Sequence, residues 1–200
     1  MKNQYLIIRE KIAELIEKVK EELATKEKSR KWKKYYGDVC VRIFRGFILR
    51  EIPPRYTLSS PNAYIEGFPT EFDLLVVNKD AKPIEYTNMY LPEKGELGIE
   101  IKAHGVFGGR EDLEKDIRSI KGNFDTGKSS YPHIDFIYLT YEEVAFPKRK
   151  NSIRYLDDTI RILEPYKVFC LKDSRTGSLI DGEFGKLARY LNNSLQRTGS

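Results

Sequence analysis

Glu71-Phe72-Asp73-Leu74-Leu75-Val76-Val77 and, further on, Gly98-Ile99-Glu100-Ile101-Lys102 each set an acid inside a short apolar run. Both runs have the length and the aliphatic content of buried strands, and Asn78-Lys79-Asp80 closes the first as a turn. Strand side chains alternate between faces, so Glu71, Asp73, Leu75 and Val77 are expected on one face. Glu100 and Lys102 likewise share a face, with Ile99 and Ile101 on the other. If the two strands are neighbours, Asp73, Glu100 and Lys102 converge at one end of the sheet. Two carboxylates in such a place repel one another, at a cost of several kcal/mol unless a cation lies between them. Hard oxygen donors with no soft ligand nearby suit Mg²⁺. A lysine beside that ion can orient or deprotonate a water, or hold a phosphate oxygen.

The rest of the chain alternates helices and strands. Leu6, Ile8, Ile12, Leu15, Ile16, Val19 and Leu23 recur at three- and four-residue steps, the mark of an amphipathic helix. Gly37-Asp38 is expected to end that helical arm and to cap a second helix through Val41, Phe44 and Ile48, stopped by Pro53-Pro54. After the Glu100 strand come a helix over 110–121, a strand over Ile134–Thr140, a helix over Ile153–Leu163, a strand over Tyr166–Leu171 and a closing helix over Glu183–Leu195. The expectation is an α/β fold with a mixed central sheet flanked by helices: an arm over 1–36 and one domain over 37–200.

Composition narrows the classes. The chain has 200 residues, 40% of them hydrophobic, enough for a real core. Mean hydropathy is -0.54, and no apolar run reaches the roughly 18 to 20 residues of a membrane span. Two cysteines, Cys40 and Cys170, without a CxxC or a Cys/His cluster exclude a disulfide scaffold and a zinc finger. The N-terminal apolar stretch is too short for a signal peptide, so the cytoplasm is the expected compartment. Lys and Arg number 35 against 30 Asp and Glu, a net charge of +5 that permits a polyanionic partner.

At Glu71–Val77 and Gly98–Lys102 the sequence resembles the PD-(D/E)xK nucleases, the restriction-endonuclease-like superfamily. The resemblance spans about residues 38–195. It implies a metal-dependent endonuclease that hydrolyses phosphodiester bonds in DNA with Mg²⁺, Mn²⁺ being able to substitute. Asp73, Glu100 and Lys102 would be catalytic, with Asp73, Glu100 and the main chain of Ile101 holding the metal. Phe72 stands where the family pattern has proline, and the long Asp73–Glu100 separation implies a hairpin excursion over 80–96. Many members add a helix glutamate, for which Glu51 is the nearest candidate. The alternative is a protein of the same fold that binds nucleic acid or acts as a scaffold without cutting.

Other features have narrower readings. Gly122-Asn123-Phe124-Asp125-Thr126-Gly127-Lys128-Ser129 matches the phosphate-binding G-x-x-x-x-G-K-[ST] pattern. That mechanism needs a strand before and a helix after the loop; here a helix precedes and Pro132 follows, so a polar loop is expected rather than a nucleotide site. His104 falls on the Lys102 face if the strand continues, and His133 is read as a turn residue. Tyr86, Tyr90, Tyr131, Tyr138 and Tyr141 are expected to fill core and surface grooves, with stacking on bases the lesser alternative. The basic, aromatic run 26–36 and Lys148-Arg149-Lys150 suit either a phosphate backbone or plain solvation. The stripe of the arm must pack on something, either the body or a second copy in a homodimer, and the dimer is the favoured reading.

Overall fold

The computed structural model describes residues 2–24, 30–104, 110–143, 155–173, 178–180 and 182–197. Two long helices, α1 (Lys2–Ala24) and α2 (Arg30–Glu51), lead into a sheet region. Strands β1 (Tyr56–Leu58), β2 (Tyr64–Ile65), β3 (Leu74–Asn78), β4 (Met89–Tyr90) and β5 (Gly95–His104) follow. Then come α3 (Arg110–Ser130), β6 (Asp135–Glu143), α4 (Tyr155–Leu163), β7 (Lys167–Asp173), β8 (Ser178–Leu179) and α5 (Glu183–Arg197). The main sheet runs β1-β3-β5-β6-β7-β8, and β2 and β4 form a small parallel pair beside it. β1, β3 and β5 are antiparallel, whereas β5, β6 and β7 are parallel. The parallel crossovers through α3 and α4 carry both helices to one face, as a fixed crossover hand requires when strands are added in one direction.

Each face has its own core. Leu74, Val76, Leu97, Ile99, Ile101, Leu139, Tyr141, Phe169 and Leu171 point to the layer formed by α1, α2 and α5. Leu75, Val77, Phe136 and Tyr138 point to the layer of α3 and α4. On that second face Phe68, Phe72, Phe136 and Phe124 stack in series, with Tyr166 edge-on at the end. Truncating a fully buried ring such as Phe44 or Phe136 to alanine costs about 3–5 kcal/mol.

Three sequence expectations need correction. α2 runs unbroken through Gly37 and Asp38, so the boundary expected between 36 and 37 lies inside one helix. Glycine costs a helix only about 1 kcal/mol, and burial of Tyr36, Cys40, Val41 and Phe44 on either side outweighs it. The segment 80–96 is not a hairpin: it passes through a loop to β4, pairs in parallel with β2, and turns through Pro92–Lys94 into β5. Residues 122–129 form no loop, because α3 continues through them to Ser130.

The arm folds back on the body. Ile12 and Ile16 are buried in the first core layer, and Val19 packs against it. Glu17 fixes the register from the polar side, accepting hydrogen bonds from Tyr141 Oη at 3.1 Å and Lys172 Nζ at 2.5 Å. Leu15 of the same stripe stays 51% exposed. At the other end, Arg55 Nη2 and Tyr56 Oη donate to the Leu195 carbonyl and so satisfy the C-terminal turn of α5. No helix among the described residues is long and apolar enough to cross a membrane.

Candidate metal and phosphodiester site

A break in strand parity builds the site. Phe72 forms an antiparallel bridge with Ala63, and β3 begins only at Leu74, leaving Asp73 in a bend between them. Strict alternation back from Val77 and Leu75 would send Phe72 to the α1/α2 face; instead its ring lies with theirs in the aromatic layer. The expected sharing of one face by Glu71, Asp73, Leu75 and Val77 therefore holds only from Leu74 onward. Released from the ladder, the Asp73 carboxylate turns across to β5 and accepts the Ile101 N–H at 2.6 Å. That N–H needs a partner, since the β3–β5 register ends at Leu74↔Ile99.

β5 supplies the other two groups. Ile99 and Ile101 enter the first core, which places Glu100 and Lys102 on the opposite face. Lys102 Nζ donates to Glu100 Oε1, and the two side chains keep 37% and 17% of their surface exposed. The parallel register sets Tyr138 beside Glu100 and Thr140 beside Lys102; both are buried and close the site toward β6. Gly98 prepares the floor. A Cβ there would lie 2.8–2.9 Å from carbons of Phe72 and Phe136, so only glycine lets the two rings stack over the strand.

The electrostatics follow from this crowding. Burial pushes the Asp73 carboxyl up to about 7, with the Glu100 charge adding to the rise while Lys102 and the Ile101 N–H oppose it. For Lys102, burial alone would lower the pKa; Glu100 and Asp73 outweigh it, and the ammonium ends above its ordinary value. Glu71 adds to the field at Asp73, and Asp116 of α3 adds to the field at Lys102. Two carboxylates thus face one ammonium in a partly dry place, an arrangement short of positive charge.

A divalent cation fits that shortage. Asp73 and Glu100 offer hard oxygen, and the Ile101 carbonyl leaves the strand on the same edge as its N–H, toward Asp73. Among the described residues no group of three or more His, Cys, Asp or Glu side chains is placed to hold a metal. The donor set is therefore two carboxylates and a main-chain oxygen, sparse enough for an ion that keeps several waters, as Mg²⁺ does.

The structure sorts the remaining candidates. Glu51 sits at the last turn of α2, and Glu71 and Asp116 are further acids whose charges act on Asp73 and Lys102 respectively. Glu71 had a visible signal, two residues before Asp73; Asp116 had none beyond lying in the helix after β5. His104 closes β5 in register with Glu142, and its side chain lies outside the described residues. His133 is an exposed turn residue with Nε2 3.1 Å from the Pro92 carbonyl. Lys128, the lysine of the phosphate-loop pattern, donates to Asp135 Oδ1 at 2.6 Å and to the Ile134 carbonyl at 3.1 Å. Of the basic run, Tyr36 is buried and Tyr35 exposed, while residues 26–29 and Lys148-Arg149-Lys150 lie outside the described residues.

No protein-family profile matches the chain, and no curated protein matches it. Solved structures do. NucC of E. coli MS115-1 in its cAAA-bound form superposes with a TM-score of 0.67 at 12% identity, covering 100% of this chain and 91% of that one. NucC of P. aeruginosa ATCC27853, also cAAA-bound, gives 0.59 at 14% identity, covering 96% and 92%. The apo form of the E. coli protein gives 0.54 at 12% identity, with the same coverage. At such identities the likeness is one of fold, and it extends over nearly the whole of each chain. The fold is restriction-endonuclease-like.

Proposed function

We propose that the chain is a metal-dependent endonuclease that hydrolyses phosphodiester bonds in DNA, with its active site at Asp73, Glu100 and Lys102. The observation that carries this reading is the bend at Asp73. It costs the sheet a ladder position and holds a half-buried carboxylate against a second one, which a structural role does not explain.

Asp73, Glu100 and the Ile101 carbonyl would hold Mg²⁺, with Mn²⁺ able to replace it. Bound there, the ion supplies Lewis-acid polarisation of the scissile phosphate and acidifies a water. The protein's own part is positional. Lys102, held as an ammonium beside Glu100, donates to the attacking water and to a phosphate oxygen, offsetting charge that grows in the transition state. The Tyr138 and Thr140 side of the site excludes bulk water, which strengthens each of these contacts. DNA is the substrate proposed, in keeping with the net charge of +5.

Supercoiled plasmid with Mg²⁺ tests the reading. Wild type should nick or linearise it, and Glu100→Ala should lose at least about 100-fold in rate. A fully active Glu100→Ala protein removes the site from the mechanism. Isothermal titration with Mn²⁺ separates the non-cleaving alternative: metal binding lost in Asp73→Ala, together with a wild type that never cuts, would leave a binding protein of the same fold.

A further inference from the structure

Tyr86 breaks the expectation that the tyrosines fill grooves. Tyr90, Tyr138 and Tyr141 are buried, but Tyr86 is 97% exposed. Its backbone has φ = +60°, and Asn62 at +59° is the other non-glycine with positive φ among the described residues. Asparagine tolerates that conformation, whereas a bulky side chain is strained in it at a cost on the order of 1 kcal/mol. Nothing packs on the ring to offset the cost. A ring that stabilises nothing in the free protein is placed to touch something else.

The loop that bears it is fixed. The Ile84 N–H donates to the Met89 carbonyl at 2.7 Å, and Thr87 Oγ1 donates to the Ile84 carbonyl at 2.6 Å. Asn88 Nδ2 reaches across to the carbonyls of Pro61 and Asn62, at 2.9 and 2.8 Å. Asn62 in turn donates its N–H to the Asp73 carbonyl at 3.3 Å. Tyr64, also exposed at 37%, lies in register with Met89 and donates its hydroxyl to Glu71 Oε2 at 2.9 Å, two residues before Asp73. Tyr64 thus stands on β2 beside Glu71, and Tyr86 on the loop that leads into β4 and is tied to the Asp73 bend through Asn88 and Asn62. Lys79, Asp80, Lys82 and Glu85 balance in charge, so this loop has no excess of cations for phosphates.

We propose that Tyr86 and Tyr64 form an aromatic ledge that stacks on nucleotides flanking the scissile phosphate, with Tyr86 the main contact. Stacking is the contact available to rings on a charge-neutral surface, and every unpaired base offers a π face to it. The ledge rests on the nuclease reading and adds to it a substrate-positioning element whose grip is insensitive to salt.

The experiment measures KM and kcat on a short DNA duplex with unpaired single-stranded tails, alongside fluorescence anisotropy of the same DNA with Lys102→Ala protein. Tyr86→Gly deletes the ring and relieves the backbone. It should raise KM and weaken binding about five- to 150-fold, the range of one stacked base, with kcat within twofold and the melting temperature unchanged or higher. Tyr86→Phe keeps the ring and should stay within twofold of wild type. The dependence of binding on log salt should keep its slope in Tyr86→Gly, since no phosphate contact is lost. An unchanged KM in Tyr86→Gly overturns the ledge, and so does a fall in melting temperature that accounts for the loss. If wild type cuts no DNA, the nuclease reading fails while anisotropy still decides the ledge; if it neither binds nor cuts, both fall.

Discussion

Two stretches of this chain carry patterns associated with phosphate chemistry, and the structure treats them in opposite ways. Around Asp73 and Gly98–Lys102 the regular ladder is interrupted, and polar groups are drawn together in a partly buried place. At Gly122–Ser129 the chain stays helical, its lysine is bonded to Asp135, and Gly127 faces the aromatic layer. The pattern at 122–129 is letter-perfect, whereas the one at 73–102 lacks its proline. What separates them is local backbone: a phosphate loop works through free N–H groups at a helix N-terminus, and inside a helix those groups are already bonded.

The largest contrast should be between the two lysines in catalysis. Lys102→Ala is expected to lower plasmid cleavage by at least about 100-fold, while Lys128→Ala stays within about twofold. Equal losses would erase the distinction between the regions. Gly127→Ala sharpens it on the stability side. A Cβ there would lie 2.3 Å from Phe68 Cε2 and 2.6 Å from Phe136 Cζ, so urea unfolding should show a loss of about 2–3 kcal/mol. A phosphate-loop glycine would instead change nucleotide affinity and leave stability alone.

Asp73 gives a third, smaller effect with a definite sign. Its folded pKa is raised to about 7, above the unfolded value of roughly 4. Below pH 4 both states are protonated and nothing is lost; stability then falls as pH rises from about 4 to 7 and levels off above. In EDTA at pH 8, Asp73→Asn should be more stable than wild type by about 1–3 kcal/mol, and at pH 4 the two should agree. Mg²⁺ at pH 8 should stabilise wild type and leave Asp73→Asn unmoved. The smallest effect belongs to the exposed Lys128–Asp135 pair, where Lys128→Met should cost under about 1 kcal/mol in thermal unfolding.

The sequence made the order of helices and strands readable, because apolar runs of Leu, Ile, Val and Phe mark burial whatever the tertiary context. Asp73, Glu100 and Lys102 were legible as acids and a lysine out of place in such runs, and the structure brings the three together. What escaped depended on contacts distant in sequence. Gly37 read as a helix breaker and Gly122–Ser129 as a loop, yet both lie in helices held by buried neighbours. The bend that turns Asp73 toward Ile101 depends on Phe72 bridging Ala63, a pairing outside any local pattern. β2 and β4 have two residues each, too few for any periodicity, and so the ground on which Tyr64 and Tyr86 stand was invisible. The arm showed its apolar stripe, but only the fold shows Ile12 and Ile16 committed to the body; light scattering on wild type and Leu15→Glu will show whether the exposed remainder joins two copies.

The hydrogen bond from Lys172 to Glu17 spans 155 residues, which gives the fold a timetable. At roughly 5–20 residues per second of synthesis, α1 waits about 8 to 30 seconds for β7, and longer for α5, which shares its core layer. Throughout that interval Ile12 and Ile16 lack part of their cover, although the strands bearing Asp73 and Glu100 have already been made. A chain interrupted before residue 172 therefore carries the acids without the latch that fastens its first helix. Synthesis through residue 172, more than the making of the strands that bear the acids, sets when α1 is fastened in place.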